Sequence, residues 1–275
     1  MSLDGKTMLV TGATDGLGKL TAKALAGQGA TVLLHGRDQA KGEAGLAELK
    51  AATGNQKLEF HRADLALLAE VRGLAQAVLA RHDRLDVLVN NAGVALFGDK
   101  PRQVSRDGLE LHFQVNYLAP FLLTHLLLPA IRASAPARIV NVSSIGQGPI
   151  DFDDVQLERS YSGLDAYRQS KLAQVMFTID LAERLKGTGV TVTALHPGTF
   201  MNTKMVLGQG MTPQTPVEEG VAATVRLAAS PEIEGQTGVY FNQQTPATAN
   251  AQAYDAGARR KLWDLSLELT GLPAD

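Results

Sequence analysis

A chain of 275 residues, 45% hydrophobic and 20% charged, has the composition of a globular protein with apolar side chains enough for a core. A formal net charge of −2 with scattered Lys and Arg argues against a nucleic-acid partner, and the absence of cysteine excludes disulfides and thiolate chemistry, while six dispersed histidines predict no metal site. The longest apolar runs, such as Leu118–Leu128 with its Pro120, Thr124 and His125, are too short to span a bilayer, and Met1 leads directly into a strand, so a cytoplasmic protein with no membrane contact is expected.

Short Val-, Ile- and Leu-rich runs alternate with longer segments of helical period, the pattern of a parallel sheet covered on both faces. Strands are predicted at Thr7–Thr11, Thr31–His35, Leu58–His61, Val87–Asn90, Ile139–Val142, Val190–Leu195 and Val239–Asn242. Helices are predicted at Gly18–Gln28, Gln39–Ala52, Leu67–Arg81, Leu109–Arg132, Leu164–Lys186, Val217–Ala229 and Tyr254–Thr270. No linker or repeat divides the chain, so residues 1–275 read as a single α/β domain of Rossmann type: a doubly wound, seven-stranded parallel sheet of order 3-2-1-4-5-6-7. Ligands of such a sheet lie beyond the carboxyl ends of its strands.

The first predicted strand runs into Thr11-Gly12-Ala13-Thr14-Asp15-Gly16-Leu17-Gly18 and then a helix, which places backbone N–H groups and the positive helix end where a pyrophosphate would lie. At the end of the second strand, where an acidic residue would take a ribose 2′-hydroxyl, the chain reads His35-Gly36-Arg37-Asp38. Arg37 can offer its guanidinium to a 2′-phosphate, which favours NADP(H) over NAD(H); alternatively it is a surface arginine paired with Asp38, or Asp38 takes a ribose hydroxyl. Asp64 reads by itself as a helix cap.

Asn116 falls mid-helix among apolar neighbours, an unfavourable place for a short amide without a hydrogen-bonding task. The fifth strand ends in Ser143-Ser144, putting two hydroxyls at the carboxyl edge, one of which can bond a reacting oxygen. After a polar, acidic stretch at 150–165 that reads as an inserted loop, Tyr167 and Lys171 are four apart in a helical segment and share a face. A phenol near pKa 10 is a poor proton shuttle at neutral pH, and the adjacent ammonium is expected to lower it. His196 before Pro197 reads as a structural hydrogen-bonding group, residues 199–216 as a substrate lid, Gln243–Gln252 as a surface connection and Trp263 as a packing anchor.

As a set, the turn Thr11–Gly18, Asp64-Leu65, Asn90-Asn91-Ala92-Gly93, Asn116, Ser144, Tyr167/Lys171 and Pro197-Gly198 resembles the short-chain dehydrogenase/reductase family over nearly the whole chain. The inserted loop, the Tyr167 neighbourhood and the ending Leu262-Trp263-Asp264-Leu265-Ser266 resemble the branch of retinol dehydrogenases, protochlorophyllide reductases and WW-domain oxidoreductases. The resemblance implies Tyr167 as general acid/base, Ser144 orienting the substrate oxygen, Lys171 on the nicotinamide ribose and Asn116 holding a relay water. It implies a dinucleotide site made of Gly12, Thr14, Asp15, Gly16, Leu17, Gly18, Arg37, Asp64 and Leu65 (flanking the adenine), Asn91, Ala92, Gly93, Tyr167, Lys171, Pro197, Gly198 and Thr199. Either Thr203 or Asn202 contacts the carboxamide.

The expected activity is NADP(H)-dependent hydride transfer between the nicotinamide and a carbonyl or alcohol. Competing readings are a non-catalytic, dinucleotide-responsive binding protein and a reductase of activated carbon–carbon double bonds. Retinol enzymes usually carry an N-terminal membrane anchor, so a soluble carbonyl compound is the expected substrate. Family members often self-associate through the two long helices, which makes a homo-oligomer an expectation too.

Overall fold

In the computed structural model, which describes residues 2–97 and 101–274, the strands are β1 (Thr7–Val10), β2 (Thr31–Gly36), β3 (Leu58–Arg62), β4 (Val87–Asn90), β5 (Ala137–Val142), β6 (Val190–His196), β7 (Val239–Asn242) and β8 (Thr245–Pro246). They form one sheet of order β3-β2-β1-β4-β5-β6-β7-β8. The expected order of seven parallel strands holds, with one addition. After Gln243, whose φ of 53° lies in the left-handed region, β8 folds back antiparallel on β7. Two residues, one a proline, carry no period that a sequence pattern could reveal.

Among the described residues, eight α-helices accompany the sheet: α1 (Gly16–Gly27), α2 (Gln39–Thr53), α3 (Leu68–Leu79), α4 (Ala119–Ala133), α5 (Gly163–Arg184), α6 (Lys204–Leu207), α7 (Val217–Ala229) and α8 (Ala256–Thr270). Strand side chains alternate between two cores. Leu9, Leu33, Leu88, Ile139 and Val192 point into a core shared with α3, α4, α5 and α8. Met8, Val10, Val32, Leu34, Val87, Val89 and Val140 point into the one shared with α1, α2 and α7. Burial on both faces is why these strands read as unbroken apolar runs.

The helix expected from Leu109 begins later. Glu110 is bridged antiparallel to Val104, and its carboxylate accepts from Phe113 N at 2.7 Å. A π-helical turn, Phe113–Leu118, precedes α4. Together these make Phe113–Ala133, which corrects the expectation from sequence: it is the one segment among the described residues long and apolar enough to cross a membrane, yet most of it is buried inside the fold. At the other end, the helix expected from Tyr254 splits into a 3-10 turn, Ala251–Tyr254, and α8, whose N-cap Asp255 accepts from Gly257 N and Ala258 N. Trp263 of α8 packs on Phe121 and His125 of α4 and Phe177 of α5, with the Arg184 guanidinium 3.7 Å above its ring. Part of the α4 and α5 surface is thereby covered from within the chain.

At the centre of the sheet Asn90 and Asn141 stand opposite each other in the β4–β5 register. Asn90 Nδ2 donates to Asn141 Oδ1 (2.9 Å) and Thr124 Oγ1 (3.1 Å), and Asn141 Nδ2 donates to Thr178 Oγ1 (2.8 Å). This buried side-chain chain ties the two strands to α4 and α5.

Candidate active site

The turn from β1 to α1 is built for close approach. Gly12 (φ 65°) and Gly16 (φ 52°) take left-handed conformations, and a Cβ on Gly12 would stand 2.8 Å from Ala92 Cα. A Cβ on Gly18 would run into the Gly12 carbonyl and the Asn91 amide. Asp15 caps α1 through Gly16 N (2.8 Å), leaving first-turn N–H groups without carbonyl partners inside the helix. Asn91 buttresses the turn: its Nδ2 donates to Thr11 O at 2.8 Å, and its backbone N–H and that of Ala92 donate to Thr11 Oγ1. His35 holds the turn from the other side, accepting from Gly12 N at Nδ1 (3.2 Å) and donating from Nε2 to Ala63 O (3.0 Å). Burial keeps this imidazole neutral, with its pKa lowered to about 4. Its only sequence signal was a histidine ending a buried strand.

At the carboxyl end of β2, a Cβ on Gly36 would collide with Thr14 Cγ2, so this position has no room for an acidic side chain. Arg37 is exposed beside it. The Asp38 carboxylate caps α2 through Lys41 N (3.0 Å) and reaches Lys41 Nζ at 4.0 Å, and is committed there rather than to Arg37. Asp64 does not cap α3; its Oδ1 accepts from Ala66 N (3.0 Å), and its N–H donates to Glu70 Oε2 (2.6 Å). The Leu65 side chain is buried in the core.

Residues 92–97, after β4, form a floor held by side chains from three places. Asn116 accepts from Val94 N (2.7 Å) and donates to Val94 O (3.0 Å) and Ser170 Oγ (3.0 Å). Both of its amide hydrogens are therefore taken, and a relay water could meet only the spare lone pair of Oδ1 or a backbone group. Buried His112 accepts from Leu96 N (2.9 Å) at Nε2 and bonds Glu110 through Nδ1 (2.8 Å). Gln209, just after α6, donates to Ala95 O (3.0 Å) and accepts from Phe97 N (3.3 Å). A Cβ on Gly93 would lie 3.1 Å from Asn116 Oδ1 and 3.7 Å from Lys171 Nζ, so the floor passes close to both.

The two serines at the end of β5 separate clearly. Ser143 Oγ donates to Lys171 O (2.7 Å) and is structural. Ser144 Oγ accepts from Gly146 N (3.0 Å) and lies within hydrogen-bonding reach of Tyr167. The Ser144 carbonyl is fixed by Tyr240 OH (3.0 Å) and Gln147 Nε2 (2.8 Å). Neither Tyr240 nor Gln147 carried a sequence signal. The Tyr167 ring meets Phe97 edge-on, with 5.1 Å between centroids.

Lys171 is buried one turn after Tyr167. Its Nζ donates to Val142 O (3.0 Å) and Gln174 Oε1 (3.0 Å) and lies 5.7 Å from the Tyr167 ring centroid. The expected lowering of the phenol is not what this structure gives. Burial raises the Tyr167 pKa, the Ser144 hydroxyl working against it, and burial also brings the Lys171 ammonium down to about 7. Desolvation is the leading cause for both groups. His196 bonds Thr199 Oγ1 through Nε2 (3.1 Å) and is held near 4 by burial and the Lys171 charge, in keeping with a structural role.

The segment after Gly198 crosses from the glycine turn, through Lys204, to the floor, through Gln209. Lys204 Nζ pairs with Asp15 at 2.7 Å, and Thr203 Cγ2 would sit 3.3 Å from a Cβ on Gly16, whereas Asn202 is exposed. Of the two candidates for the carboxamide, Thr203 is the one against the turn. Gly198 packs close to Met201 and Thr215, which join in a parallel bridge. Met201 packs into the core beside Gly220, while Phe200, Met205 and Leu207 are exposed, as are Ile145 and Leu164 near Ser144 and Tyr167 in the chain.

A family model described as short chain dehydrogenase matches residues 6–212. Retinol dehydrogenase 11 of Homo sapiens is 41% identical, the match covering 100% of this chain and 89% of that protein. Among solved structures, an uncharacterized protein from Mycobacterium paratuberculosis superposes with a TM-score of 0.81 at 32% identity, over 99% of this chain and 97% of the other. The NADP complex of RhlG from Pseudomonas aeruginosa superposes with a TM-score of 0.72 at 28% identity, over 88% of this chain and 95% of that one.

Proposed function

The chain belongs to the short-chain dehydrogenase/reductase family, in its retinol dehydrogenase branch, and on that premise we propose that it transfers hydride between NADP(H) and an alcohol or carbonyl carbon, with Tyr167 as the general acid/base. The observation that carries this reading is the convergence of Ser144, Tyr167 and Lys171 at the carboxyl edge of β5, beside a floor that closes on the glycine turn.

The residues fit a dinucleotide. The glycine turn, whose Cβ positions are filled by its neighbours, leaves the start of α1 open to a pyrophosphate. Arg37, exposed next to a Gly36 that has no space for a carboxylate, suits a 2′-phosphate. Lys171, with Asn91, Ala92, Gly93, Pro197, Gly198, Thr199 and Thr203, would hold the nicotinamide end. When bound, the reduced nicotinamide supplies the hydride. Ser144 donates a hydrogen bond to the substrate oxygen, and Tyr167 delivers a proton from its Oη to that oxygen as the carbonyl is reduced; in oxidation the same Oη takes it back. The raised phenol pKa keeps that proton in place at neutral pH, which suits the reducing direction.

For the substrate, exposed Ile145, Leu164, Phe200, Met205 and Leu207 favour an alcohol or aldehyde with a long apolar body, as a retinoid has, over the soluble carbonyl compound expected from sequence. The relatives named retinol dehydrogenases support the same choice. The test follows NADPH oxidation with retinal and with short soluble aldehydes in the parent and in Tyr167→Phe. Turnover should fall by about two to four orders of magnitude in the variant, with NADPH binding retained. Turnover of the Phe variant at the parent's rate would end the assignment.

A further inference from the structure

Gln174 lies one turn beyond Lys171 on α5 and is 1% exposed. Its Oε1 accepts from Lys171 Nζ at 3.0 Å, while its buried Nε2 makes no hydrogen bond among the described residues. An amide kept for packing alone would be better replaced by an apolar side chain, because burying an unmatched N–H costs stability. What the glutamine contributes is its oxygen. An ammonium has only donors, so it selects the oxygen end of the amide, and the amide dipole then points its negative end at the charge.

We propose that Gln174 is a positioning residue of the active site: its Oε1 anchors Lys171 Nζ beside the Val142 carbonyl and sustains the positive charge of that lysine in surroundings that exclude water.

The groups facing Lys171 leave this task to Gln174. On α5 itself stands Tyr167, a phenol that burial keeps protonated. From β6 comes His196, neutral above about pH 4. β5 offers the Val142 carbonyl, and the floor and the π turn offer Gly93 and Asn116, all uncharged. Among the described residues no carboxylate acts on the ammonium. Gln174 and Val142 therefore supply the oxygens that replace water around it. The consequence for catalysis rests on the reading of Lys171 as the partner of Tyr167; the charge of Lys171 does not.

The test follows the charge directly. In dinucleotide-free protein carrying isotope-labelled lysine, the Lys171 side-chain resonance is identified by its loss in Lys171→Met and titrated through the neutral and alkaline range. Deleting a hydrogen bond to a charged group is worth about one to two pH units. Gln174→Leu should therefore lower the midpoint by at least about tenfold in proton affinity, and Gln174→Glu should raise it by as much or more. Gln174→Met, which preserves side-chain length, replaces the Leu variant if that one does not fold. Unchanged midpoints in the apolar and acidic variants overturn the proposal, and so does a drop of equal size in both, which would be an effect of packing. The pH profile of kcat/KM separates the two readings. Midpoints that move while the profile stays fixed uphold the role of Gln174 and reject Lys171 as the tuner of Tyr167.

Discussion

Replacing Lys171 by Met should stabilise the protein while disabling it. The lysine is buried, and burial takes its ammonium from 10.5 to about 7. Each pH unit corresponds to about 1.4 kcal/mol, so keeping the group charged below pH 7 costs the fold about 5 kcal/mol. The Met variant sheds that cost but leaves the oxygens of Val142 and Gln174 without their donor, a loss of roughly 1–3 kcal/mol. A net stabilisation of about 2–4 kcal/mol is expected on the acid side of neutrality. The sign follows from proton counts. The unfolded chain holds this proton up to about 10.5 and the folded chain only to about 7. Between those values the unfolded state binds more protons, and parental stability climbs as pH rises. The Met variant lacks this contribution to the climb, so its advantage shrinks across the window and turns, toward the alkaline end, into a deficit of about 1–3 kcal/mol, the loss of the lysine's hydrogen bonds alone. Urea unfolding of both proteins at a series of pH values, without dinucleotide, measures the difference. Parallel stability curves, or a Met variant weaker than the parent below pH 7, would refute the account of a costly buried charge.

Arg37→Ala should weaken NADPH binding about ten- to a hundredfold, the value of a charge-assisted hydrogen bond to phosphate, and leave NADH binding nearly unchanged; fluorescence titration with each dinucleotide checks this, and equal losses would count against the 2′-phosphate role. Ser144→Ala should lower kcat by about two to three orders of magnitude with little change in thermal stability. Ser143→Ala, which strips the Lys171 carbonyl of its donor, should cost about 1–3 kcal/mol in urea unfolding. Trp263→Ala removes the ring wedged between α4 and α5 and should cost about 3–5 kcal/mol; a smaller loss in urea unfolding would mean that α8 is not held by that ring.

The sheet was readable because both faces of its strands are buried, so each strand appears as a compact apolar run between helical periods. β8 escaped because two residues have no period. The late start of the long central helix escaped because Leu109 and Leu111 fit a helical pattern that the Glu110 bridge and the π turn interrupt. In the site, Tyr167 and Lys171 were legible from helical spacing. Which of Ser143 and Ser144 faces the phenol depends on which finds a backbone partner, a matter of tertiary contact. The same holds for His35, Gln209 and Gln174, whose partners lie on other elements or, for Gln174, are chosen by burial. The balance between the Tyr167–Lys171 pair and desolvation was illegible for the same reason, since spacing gives proximity but not the amount of water left around it.

The facing amides of Asn90 and Asn141 have a consequence at the far ends of their strands. Sliding β4 against β5 by one residue would turn one amide to the opposite side of the sheet and strand its partner in apolar surroundings. Asn90 leads into residues 92–97, and Asn141 leads within three residues to Ser144. One interlocked pair in the middle of the sheet thus sets the relative height of two loops, the one that would underlie the hydride donor and the one that would grip the substrate, and the spacing between donor and acceptor carbon would be inherited from it.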